Sequence, residues 1–184
     1  MNKIVLIISM IIGSMGLTLA EDVISDIGSL RKWKAVKVSD HLAWAQEACV
    51  AYTSGDNSRL EVYAEREKSG DEFVEPTVQV VTEAGFPRFH RATLQIDNRS
   101  DMSFELTLAN LDQANDRQVA LATLDTRNDI INLLERKNSA HITFYDQESS
   151  AVKKVIYSLS GSQKTIASFL FPACKLGFTD LSNI

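Results

Sequence analysis

Residues 102–108 read Met102-Ser103-Phe104-Glu105-Leu106-Thr107-Leu108, and this stretch decides the fold. Met102, Phe104, Leu106 and Leu108 share one parity, while Ser103, Glu105 and Thr107 share the other. In an extended chain successive side chains point to opposite sides, so this is a strand with an apolar face and a solvated face. A helix would spread the same residues around its axis.

The same period recurs on both sides of it. Upstream, Ala92, Leu94 and Ile96 oppose Arg91, Thr93 and Gln95. Thr77 to Thr82 is rich in β-branched residues and is broken by Ala84-Gly85-Phe86-Pro87. Leu60, Val62 and Ala64 alternate with Glu61, Tyr63 and Glu65, between turn clusters at Ser54-Gly55-Asp56-Asn57-Ser58 and Ser69-Gly70-Asp71. His41 to Thr53 is a longer candidate, in which Leu42, Trp44, Ala48, Val50 and Tyr52 share parity around Cys49. A first strand is expected around Trp33, Ala35, Val36 and Val38, preceded by a lead-in over 21–31 with one helical turn around Ile24, Ile27 and Leu30. Downstream, beyond a polar segment from Asn110 to Arg117, strands are expected over Val119 to Leu124, His141 to Tyr145 and Val152 to Leu159. Many short strands at this spacing predict a mainly β domain, an antiparallel sandwich or barrel.

Two short helices complete it in the C-terminal third. Asp125 or Thr126 can cap a helix over Arg127 to Lys137, with Ile130, Ile131, Leu133 and Leu134 on one face and Arg136-Lys137 placed to favour the helix dipole. Ser160 or Ser162 can start a second, carrying Ile166, Phe169 and Leu170 and stopped by Pro172.

Residues 1–20 read as a secretory signal peptide. Lys3 gives the positive start, Ile4 to Ile12 is a nearly unbroken apolar run, and Thr18-Leu19-Ala20 ends in small residues before Glu21-Asp22. About 15 apolar residues is short for a bilayer span of about 20. The expected mature chain, residues 21–184, is a single exported domain with 18 Lys and Arg against 24 Asp and Glu, a net charge of −6. That balance argues against nucleic acid, which needs a basic footprint, and against docking on anionic lipid. No second apolar stretch approaches spanning length, so no membrane span is expected in the mature form.

Cys49 and Cys174 form an even pair, and in an oxidising compartment one disulfide is the simplest reading. It closes a loop of 125 residues, which the chain-entropy model credits with about 4–5 kcal/mol. The periplasm is favoured over full secretion because the signal is compact and the domain is poor in cysteine.

Chemistry-bearing motifs are sparse. His41, His90 and His141 stand singly and none lies in a metal pattern. Ser158-Leu159-Ser160-Gly161 reads as a strand end entering a helix, not as a nucleophile elbow. No metal and no cofactor is expected. One segment points to recognition: Phe86-Pro87-Arg88-Phe89-His90-Arg91 packs two aromatics and three cationic or near-cationic groups into six residues of an acidic protein. Exposed, Phe86, Arg88, His90 and Arg91 would suit an acidic partner through paired guanidinium contacts.

The order of features resembles the invasion-associated locus B family of bacterial envelope proteins. The matching pieces are Trp44-Ala45-Gln46-Glu47-Ala48-Cys49, then Leu60 to Glu65, then Tyr157-Ser158-Leu159-Ser160-Gly161 with the helix through Ile166 and Ala167, spanning roughly residues 33–172. This chain has fewer cysteines than many such proteins and adds Cys174 beyond the last helix. The resemblance implies a small exported β-sandwich and brings no catalytic residues. The expected function is therefore binding without catalysis, with another envelope protein or a surface component as partner. A periplasmic hydrolase, or an inhibitor of an exogenous hydrolase, is the alternative.

Overall fold

The computed structural model describes residues 23–38, 45–67, 75–109 and 117–174. The expected signal peptide, His41, Trp44, the expected turn at Ser69-Gly70-Asp71 and most of the polar segment after Asn110 lie outside the described residues. Among the described residues ten strands form one antiparallel sheet: β1 Val23–Leu30, β2 Trp33–Val38, β3 Ala45–Gly55, β4 Ser58–Glu67, β5 Thr77–Thr82, β6 Arg91–Ile96, β7 Ser103–Ala109, β8 Val119–Ala122, β9 Ser139–Tyr145 and β10 Ala151–Ser158. Their spatial order is β1-β2-β3-β4-β5-β8-β7-β6-β9-β10. Helix α1 spans Arg127–Arg136. The C-terminal helix is π-wound over Lys164–Leu170 and α-helical over Phe171–Ala173.

The expected helical turn before β2 is instead strand β1. Its ladder with β2 shifts register between Val23 and Ser25 and again between Asp26 and Gly28. Each such irregularity inserts a residue and flips parity. A bulged strand therefore carries apolar residues three apart, which imitates a helical period. The two-residue turn that joins β1 to β2 places Arg31 at a φ of 57° without the glycine or asparagine that normally announces it.

A single apolar cluster fills the concave side of the sheet. Trp33, Leu60, Leu94, Phe144 and Tyr157 belong to it, together with Ile130 and Leu134 of α1 and Ile166 and Leu170 of the C-terminal helix. The two halves of the sheet meet in the middle through a short ladder, in which Gln79 pairs with Leu121, Val80 with Ala120 and Val81 with Val119. At the other side the sheet curls until β10 reaches the β3–β4 hairpin. There the closure runs through side chains. Trp33 Nε1 donates to the Ser158 carbonyl at 3.0 Å, the buried hydroxyls of Ser58 and Tyr157 share a hydrogen bond of 2.5 Å, and Lys153 pairs with Asp56. Gly55 allows the approach, since a Cβ there would lie 2.6 Å from Val155 Cγ1. Burial raises the Tyr157 phenol well above its usual pKa, with Glu61 and Asp56 adding to the shift against the Ser58 hydrogen bond.

The Cys49–Cys174 disulfide joins β3 to the end of the C-terminal helix, with both residues fully buried. Neither helix is capped by the expected side chain. Thr126 occupies the N-cap of α1 but its hydroxyl bonds Thr123 Oγ1 at 2.9 Å. The Ser162 hydroxyl sits between the carbonyls of Leu134 (2.5 Å) and Leu159 (2.6 Å), tying the second helix to α1. Gly161, at φ +98°, makes the turn into that helix, where a Cβ would lie 2.3 Å from the Leu30 carbonyl oxygen.

Candidate functional site

The segment Phe86–Arg91 bridges β5 and β6, and its two aromatics fix it. Phe86 and Phe89 are buried, and both pack edge-on against Phe144 of β9 at centroid distances of 4.7 and 4.8 Å. Gln118 clamps the backbone: its side chain donates to the Phe89 carbonyl (3.0 Å) and accepts from the Phe89 amide (3.2 Å). The His90 amide donates to the Tyr145 carbonyl at 2.8 Å. Phe86, grouped with the cations by sequence, therefore lies in the core and not on a partner-facing surface, because the apolar trio is worth more buried than exposed.

Arg88, His90 and Arg91 face outward on this anchored backbone. The Arg91 guanidinium lies 4.8 Å from the centroid of the Tyr145 ring and 3.5 Å from a Glu105 carboxylate oxygen. Two anchored aromatics thus hold a short row of cationic tips at one end of β6 and β9. Such a row engages carboxylates or phosphates at little conformational cost.

Arg91 also begins a regular outer lattice. Arg91 pairs with Tyr145 across β6 and β9, Thr93 with Thr143, and Gln95 with His141. On β10, Lys154 stands beside Thr143 and Ile156 beside His141. On β7, Glu105 stands beside Thr93 and Ser103 beside Gln95. Sequence alternation puts these residues on solvated faces, but the strand order that assembles them is non-sequential and could not be read from it.

The one Ser–His contact among the described residues lies on this face, with Ser139 Oγ and His141 Nε2 3.0 Å apart. Asp97 does not complete a triad. Its Oδ1 accepts from the Asn138 and Ser139 amides, both at 3.0 Å, and lies 3.5 Å from the Ser139 hydroxyl. Desolvation pushes the Asp97 pKa up, but these amides and Lys137 outweigh it and hold the carboxyl below its usual value. A carboxylate occupied in this way pins a turn and does not orient an imidazole.

The opposite half of the sheet carries a second buried cluster on its outer face, made of Val36, Val38, Ala48 and Val50, with Tyr52 and Tyr63 packed against it. Glu61 is buried beside it, accepting from Gln79 Nε2 at 2.7 Å and lying 3.1 Å from Arg59 Nε. Among the described residues no group of three His, Cys, Asp or Glu is placed to hold a metal. No described helix is long and apolar enough to cross a membrane. Comparison with protein-family models, curated proteins and solved structures gives no match for this chain.

Proposed function

We propose that the protein is an exported envelope component that binds an acidic partner, a second envelope protein or a surface component, through Arg88, His90 and Arg91. The observation that carries this reading is the aromatic anchor. Phe86 and Phe89 are buried on Phe144 and Gln118 clamps the Phe89 backbone, so Arg88 between them and His90 and Arg91 just beyond stand on a fixed backbone. In a chain of net negative charge, such a row selects negative partners and speeds their encounter. The disulfide and the leader-like N-terminus support work in an oxidising compartment. The resemblance of the motif order to that of the invasion-associated locus B family supports a bacterial envelope.

The test is direct binding of the protein to polyglutamate and to polygalacturonate at low salt, beside the Arg88→Glu/Arg91→Glu variant. The wild type binds at least one acidic polymer, the variant binds neither, and salt weakens the interaction. Absence of wild-type binding to both, or equal binding by the variant, overturns the reading.

Hydrolysis is a second reading that rests on the Ser139–His141 contact. Labelling of Ser139 by a fluorophosphonate probe, abolished by His141→Ala, would establish it.

A further inference from the structure

We propose that the cationic row is one end of a longer recognition face, the outer side of β7-β6-β9-β10, and that its ligand is an acidic polysaccharide, a sugar chain bearing carboxylates. This rests on the reading above and narrows its partner. Continuity is the first argument. The Arg91–Tyr145 pair of that row is the first rung of the lattice, and the next rungs, Thr93–Thr143 and Gln95–His141, follow on the same strands. They are spaced about 7 Å along the strands and about 4.8 Å between them.

The chemistry of the lattice is the second argument. In the two rungs that run from Glu105 to Lys154 and from Ser103 to Ile156, every outward residue except Ile156 bears a hydrogen-bonding group. Hydroxyls, a carboxamide and an imidazole both donate and accept, which suits a polymer whose surface is hydroxyls. A protein partner would instead draw its energy from aromatic or aliphatic anchors in dry pockets. The aromatic ring on this face, Tyr145, is already covered by Arg91. Ile156, 65% exposed, supplies an apolar ledge for the C–H face of a sugar ring.

Charge is the third argument. Lys154 stands on the edge strand β10 in the rung next to that of Arg91, and the carboxylate of that rung, Glu105, stands on β7 beside Arg91. Arg91 and Lys154 outnumber that carboxylate, so a sugar chain carrying carboxylates complements the charge of these rungs, and its hydroxyls complement their hydroxyls, carboxamide and imidazole.

The experiment measures binding of polygalacturonate, neutral dextran and polyglutamate to the wild type, to Thr93→Val/Thr143→Val and to Lys154→Gln. Valine keeps the shape and β preference of threonine and removes the hydroxyl. Polygalacturonate is expected to bind the wild type and dextran not to. The double valine variant should weaken polygalacturonate about tenfold, as loss of two net hydrogen bonds implies, while leaving polyglutamate unchanged. Lys154→Gln, at an exposed position, should weaken polygalacturonate about threefold and serves if the double variant folds poorly. Polyglutamate binding without polygalacturonate binding overturns this inference and leaves the acidic-partner reading standing, as does polygalacturonate binding insensitive to both variants. Failure of both acidic polymers removes the two together.

Discussion

The two halves of one sheet treat their outer faces in opposite ways. On β2 and β3 the outward residues Val36, Val38, Ala48 and Val50 are buried, with half-buried Tyr52 and Tyr63 packed against them and the buried, partnered Glu61 of β4 beside them. On β6, β9 and β10 the outward residues are Thr93, Gln95, His141, Thr143 and Lys154, half-buried or exposed. A strand buried on both faces is committed to structure. A strand with a solvated face has that face free for recognition. The disulfide falls on the committed half, clamping β3 to the C-terminal helix. The cationic segment falls on the other half.

This contrast can be broken experimentally, beginning with the clamp. Cys49→Ser/Cys174→Ser releases a loop of 125 residues and should cost about 4 kcal/mol. Its thermal melt should fall well below that of the oxidised wild type. Val50→Asp puts a charge into the buried outer cluster and should cost about 3 kcal/mol, measured by urea denaturation. Tyr157→Phe removes the seam hydrogen bond to Ser58, whose hydroxyl still has the Asp56 carbonyl as acceptor at 3.3 Å, and should cost about 1 kcal/mol. The same variant tests a pH effect. The phenol pKa is raised in the folded state, so folding favours the protonated form. That stability is complete below the unfolded tyrosine pKa of about 10 and is lost as pH rises above it. Wild-type melting temperature should therefore fall between about pH 10 and pH 12 more steeply than that of Tyr157→Phe. Smallest of all, Thr143→Glu on the outer face of β9 should change stability by no more than about 0.5 kcal/mol. Equal penalties for Val50→Asp and Thr143→Glu would erase the distinction between the two faces.

Much of this frame was legible residue by residue. Alternation placed Leu60, Leu94 and Leu106 inward, and the even cysteine pair gave the Cys49–Cys174 bridge. Three features escaped, each for a physical reason. Strand β1 hid behind two bulges that gave Ile24, Ile27 and Leu30 a helical spacing. The helix starts at Thr126 and Ser162 use their hydroxyls on neighbouring groups instead of as caps, a choice set by tertiary contacts. The outer lattice depends on β6 lying between β7 and β9, and β10 beside β9, a long-range order that no local pattern encodes. The Phe86–Arg91 segment was singled out by composition. That its aromatics turn inward and its cations outward follows from packing on Phe144, more than fifty residues away.

The central claim is that recognition belongs to the cationic row and the solvated half of the sheet. Amide chemical-shift mapping during titration with polygalacturonate tests it most directly. Shifts should gather at residues 88–95, 141–145 and 154–156 and leave β2–β4 unmoved. Shifts centred on the β2–β4 half, or none at any polymer concentration, would contradict the account.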